Sequence, residues 1–177
     1  MKRLLVIIVL ALAVPCLAFG QAQPPKPGPE VQKLAYNVGT WKFEGDVKAG
    51  SPLGPAGKFS STGTCEWFAG GFHVVCRGES TGPRGRTTDL SILAYDTEAK
   101  VYTYYGISSR GETESEKMTL TGNTWTSLSE ETVAGKPTKF RYTEVLESPT
   151  SNTFKLEYSV AGGPWGVVLE GKSTKGK

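Results

Sequence analysis

The chain has 177 residues, 38% of them hydrophobic, with 20 Lys and Arg against 17 Asp and Glu and a single histidine. A length of this order fits one domain with a sizeable core. The near balance of charge excludes the electrostatic footprint of a nucleic-acid or acidic-membrane binder, and one histidine excludes a multi-histidine zinc site.

Residues 1–20 read as a cleaved signal peptide. Lys2 and Arg3 supply a positive start, Leu4 to Val14 an unbroken apolar run, and Ala18, Gly20 and Ala22 the small residues a signal peptidase accepts. That run is shorter than the roughly 20 residues that span a bilayer, so no stable membrane span is expected. Cys16 raises the alternative of a lipid anchor, but Pro15 stands where the usual acylation motif has a small residue. The expected location is the periplasm or the extracellular space. Without the leader, 18 basic residues face 17 acidic ones.

Residues 21–29 are proline-rich and read as a flexible N-terminus, ahead of one domain over residues 30–177. Glu30–Tyr36 is the one helical stretch: Pro29 suits its first turn, and Val31, Leu34, Ala35 and Val38 fall at helical spacing before Gly39 stops it. From Gly39 onward the period is two, in runs rich in Val, Thr, Tyr and Phe. Short turns such as Gly70-Gly71, Gly82-Pro83-Arg84-Gly85 and Gly122-Asn123 separate the runs. They leave no room for crossover helices, so the pattern predicts about ten antiparallel strands, closed into an up-and-down barrel that leaves no bare edges. A two-sheet sandwich is the alternative. The longest loop spans residues 48–57.

The hairpin at Gly70-Gly71 sets a register. A two-residue loop pairs Ala69 with Phe72, Trp67 with Val74 and Cys65 with Cys76. The face with Cys65, Trp67, Phe72, Val74 and Cys76 is apolar and is placed inward. A Cys65–Cys76 disulfide is then geometrically allowed, though at a hydrogen-bonded pair, the wider kind of site. His73 falls on the outer face beside Glu66 and reads as a solvated surface residue. Glu112, Glu114 and Glu116 share one strand face and read as a solvated stripe rather than a Ca²⁺ site, which needs a curved loop.

Gly39-Thr40-Trp41 after a short helix resembles the Gly-x-Trp opening of calycin (lipocalin-like) barrels. Glu66-Trp67, then Gly70-Gly71-Phe72, then Ala94-Tyr95-Asp96 before a tyrosine-rich strand resemble the bacterial family called domain of unknown function 1579. The likeness runs from about Leu34 to Lys172. It implies a lipocalin-like fold, with Trp41 plugging one end, and brings no catalytic residues with it. Related nitrobindin-like barrels hold haem through a histidine near the C-terminus; this chain has none there, so no cofactor is expected.

The first functional reading is a non-catalytic binder of a small apolar molecule in the barrel cavity. Trp41 and Phe43 would form its floor and Trp67, Phe72, Tyr105, Phe140 and Tyr142 its walls. The second is an enzyme, an isomerase or hydrolase using an interior carboxylate or tyrosine; Glu144 shares the inward parity of Phe140 and Tyr142 and is the candidate acid or base. The third is an envelope interaction protein. No metal ligand set and no oligomeric state are predicted.

Overall fold

The computed structural model describes residues 25–52 and 54–176. The expected leader and Cys16 lie outside the described residues. Ten strands follow one short helical segment: β1 (Gly39–Val47), β2 (Gly57–Trp67), β3 (Val74–Gly82), β4 (Gly85–Asp96), β5 (Val101–Ser108), β6 (Thr113–Thr121), β7 (Thr124–Val133), β8 (Lys136–Ser148), β9 (Ser151–Val160) and β10 (Gly166–Lys175). Every strand pairs antiparallel with its neighbours in sequence, and β1 pairs with β10, so the sheet is a closed barrel. The alternation read from the sequence produces this. In β2, for instance, every second residue from Gly57 to Trp67 is half-buried and those between are exposed.

The helical segment caps one end. It is a single α-helical turn, α1 (Pro29–Gln32), running into a 3₁₀ turn over Lys33–Asn37. A helix this short has no stability of its own, and its contacts hold it. Val31 and Leu34 are buried against the barrel, each worth roughly 1.5–3 kcal/mol. The Tyr102 hydroxyl donates to the Glu30 carboxylate at 2.6 Å and the Tyr36 hydroxyl to the Ser151 carbonyl at 3.0 Å. Leu34 joins Val74, Tyr102, Met118 and Trp125 in the main apolar core, so the core lies beneath this cap. Gly39, at φ 122°, turns the chain from the cap into β1 with backbone that a side chain rarely adopts.

The β1–β10 seam has a close approach at its centre. Gly45 faces Gly171, and a Cβ on Gly171 would lie 2.2 Å from the Glu44 carbonyl and 2.7 Å from the Phe154 ring. A Cβ on Gly45 would lie 2.3 Å from the Glu170 carbonyl. The missing side chains leave room for the Phe59 and Phe154 rings, whose nearest atoms would lie 2.8 Å from a Cβ on Gly45 and 2.7 Å from one on Gly171.

Two details of the sequence reading change. The β2–β3 connection is not a two-residue loop: the Phe68 amide bonds the His73 carbonyl at 2.8 Å, closing a four-residue loop over 69–72. The opposed pairs stay Trp67–Val74 and Cys65–Cys76, but the hydrogen-bonding parity moves by one residue. Cys65 and Cys76 therefore occupy the narrow, non-hydrogen-bonded type of site, with Cα atoms 4.0 Å apart, and are joined by a disulfide. Glu114 and Glu116 are not an outer stripe either; both line the barrel interior, and Glu112 lies in the loop before β6, bonded to Arg84.

Candidate functional site

A cavity of about 550 Å³ occupies the barrel. It runs from Tyr36 and Trp41 beneath the cap to Glu114 and Glu131 toward the loops at the other end. Strand parity gives it two unlike walls.

The wall around the β1–β10 seam is apolar. Phe154 stands between Phe43 and Phe59, with ring centres 6.1 and 5.9 Å away, and Leu156 and Leu169 continue the surface. The facing wall, on β4 to β8, carries the acids, set among Leu93, Tyr104, Met118, Phe140 and Tyr142. Asp89, Glu114, Glu116 and Glu144 line it, with Glu131 nearer the loops. Gly78 leaves room for Asp89: a Cβ there would meet the carboxylate at 2.8 Å.

Burial among uncompensated neighbours raises several of these acids. The Glu144 carboxyl is pushed up to about 7 by burial, against a single hydrogen bond from Tyr142. Its partners across the two ladders, Trp125 and Phe154, are both aromatic, which explains the loss of hydration. Burial also raises Glu114, with further push from the charges of Glu116 and Glu112, and burial raises Asp89. Tyr104 is raised to about 12, first by burial and then by Glu114. Tyr142 is raised well above the ordinary phenol value by burial and by Glu144, to whose Oε2 its hydroxyl donates at 3.4 Å. The Ser127 hydroxyl donates to Glu116 at 2.5 Å.

Of the seven ligand-binding residues expected from the sequence, Trp41, Phe43, Phe140 and Tyr142 line the cavity. Three do not. Trp67 has the expected inward parity but packs against the core under the cap. Phe72 belongs to the four-residue loop, outside the strands. Tyr105 points outward and is 47% exposed; its neighbour Tyr104 takes the inward place. Glu144 lies in the cavity, and His73 is exposed. Sequence reasoning missed Asp89, Glu114 and Glu116 as lumen residues. The signal that could have found the last two was their shared parity with Met118 and Leu120, the apolar residues of β6, which pack in the core.

A family model described as protein of unknown function (DUF1579) matches residues 26–175. The chain belongs to that family. Among solved structures, the crystal structure of Rv2717c from M. tuberculosis is similar, with a TM-score of 0.57 at 11% identity, over 86% of this chain and 100% of that one. At that identity the likeness speaks for the fold. No curated protein matches. Among the described residues, no helix is long and apolar enough to cross a membrane.

Proposed function

We propose that this DUF1579 protein is exported to the periplasm or beyond and binds a small, largely apolar molecule in its lumen without transforming it. The supporting observation is the cavity of about 550 Å³ with the Phe43, Phe59 and Phe154 rings on one wall. That volume suits a drug-sized molecule, and water displaced from the rings would supply most of the affinity. The test uses a neutral aromatic fluorophore, N-phenyl-1-naphthylamine, whose emission rises on leaving water. A Gly63→Phe variant is the control. A Cβ on Gly63 meets nothing closer than 3.6 Å, so the ring would enter the lumen without straining the strand. Saturable binding to the wild type that the variant lacks supports the reading; equal binding by both places the dye elsewhere and removes the support.

One observation favours catalysis as the second reading: Glu144, with a carboxyl at about 7, titrates near neutrality beside Tyr142. Co-purified ligand recovered unchanged after long incubation supports the binder. Conversion that stops in Glu144→Gln supports the enzyme.

A further inference from the structure

The five acids around the lumen have no cation of their own. Asp89, Glu114, Glu116, Glu131 and Glu144 all line the cavity, and none of them is in an ion pair among the described residues. The one basic residue on the lining is Arg77, and its guanidinium is turned to the outer face, where it bonds Glu66 at 3.1 Å. Nearer the loops, Arg84 is bonded to Glu112 and Arg110 to Thr87 and to the Arg84 carbonyl. The lumen is therefore negative inside a chain whose net charge is +3.

Carboxylates gathered around one cavity without counter-charges repel one another, a cost that a bound cation relieves; Asp89, Glu116 and Glu144 are half-buried, and Glu114 and Glu131 are more open to solvent. Resting on the lumenal-binder reading, we infer that the partner is an organic cation: an amine, protonated or quaternary, on an apolar body. The two walls divide the work. The Phe43, Phe59 and Phe154 rings take the body, and their π faces also attract positive charge. The carboxylates of Glu144, Glu114 and Asp89 on the other wall supply the negative field that holds the cation, and a protonated amine can also donate a charge-assisted hydrogen bond to one of them. A metal ion is the poorer match, because among the described residues no three His, Cys, Asp or Glu groups converge as metal ligands. An anionic ligand of the same shape meets repulsion from every acid on the lining.

The experiment is calorimetric titration with three ligands of one shape at pH 7.5: 2-(2-naphthyl)ethylamine, the corresponding alcohol and the corresponding carboxylic acid. The amine should bind at least about tenfold tighter than the alcohol, the size of one charge-assisted hydrogen bond, and the acid weakest. Glu144→Gln and Glu114→Gln, each checked for an intact near-ultraviolet dichroism spectrum, should shrink the amine-to-alcohol ratio several-fold. If alcohol and amine bind equally, or the acid binds best, the cation inference is overturned while the lumenal binder stands. If none of the three binds, both fall. If the ratio survives in both variants, the charge that selects the amine is not in the lumen, and the assignment fails.

Discussion

The ammonium of Lys175 lies 4.9 Å from the centre of the Trp41 ring, and the two residues face each other across the β1–β10 ladder. The same ammonium donates to the Tyr36 carbonyl at 2.9 Å, and the Trp41 indole N–H donates to the Asn37 carbonyl at 2.9 Å. First strand, last strand and cap are thus locked at one point. Trp41→Ala should lower stability by about 3–5 kcal/mol, as a large buried ring lost from a packed site. Lys175→Met, which keeps most of the stem, should cost about 1 kcal/mol. Urea denaturation of the two variants checks both, and an unchanged midpoint for Trp41→Ala would remove Trp41 as the plug.

Gly171→Ala should be among the most damaging single-methyl changes in the protein, at about 3 kcal/mol or more. The new methyl meets backbone on one side and the Phe154 ring on the other, and neither can swing away. Gly63→Ala is the matched control, since its methyl enters open lumen; it should change stability by less than about 1 kcal/mol. Thermal melts of the pair decide it, and similar losses in both would mean strand flexibility rather than crowding controls the seam.

Glu144 should make stability fall as pH rises toward neutrality. Its folded carboxyl, held near 7 against an ordinary value of 4.5, keeps a proton that the unfolded chain has released between those values. The folded state then binds more protons, so its stability is full below pH 4.5, declines through the window and levels off above 7. Glu144→Gln should match the wild type near pH 4 and exceed it at pH 8 by about 1–3 kcal/mol. Glu114 and Asp89 shift in the same direction, so the variant should flatten the slope without abolishing it. Denaturation midpoints at the two pH values provide the check.

The Cys65–Cys76 bridge joins β2 to β3 beside the lumen. Replacing both cysteines by alanine should lower stability by about 2–3 kcal/mol, the usual size for a short closed loop. Alkylation of the unfolded but unreduced chain should label neither residue; labelling of either would show them free.

Much of the barrel was legible because its strands alternate strongly and its turns are short. The register of Cys65 with Cys76 and the inward parity of Glu144 both follow from counting by two, and the structure agrees with each. Counting failed where both parities carry similar residues. In β5, Tyr104 and Tyr105 are adjacent and chemically alike, so the period could not choose between them. In β6, by contrast, the inward face mixes Glu114 and Glu116 with Met118 and Leu120, and a preference for acids outside sent Glu114 and Glu116 the wrong way. An open lumen reverses that preference, because it admits solvent. Trp67 marks another limit: parity tells the side of the sheet but not the height along the barrel, which decides between core and cavity.

The single ladder between strands distant in sequence has a consequence for the chain as it is made. Nine of the ten pairings join consecutive strands and can form in the order of synthesis, whereas β1 must wait for β10. Until residues 166–175 are available, the nine-strand sheet keeps two unsatisfied edges, each able to pair with another copy. A nascent or truncated chain ending before Gly166 is therefore a template for aggregation rather than a weaker version of the protein. Closure of the seam would be the slow, length-dependent step of folding, and quality control acting on this protein would be reading, in effect, whether its last strand has arrived.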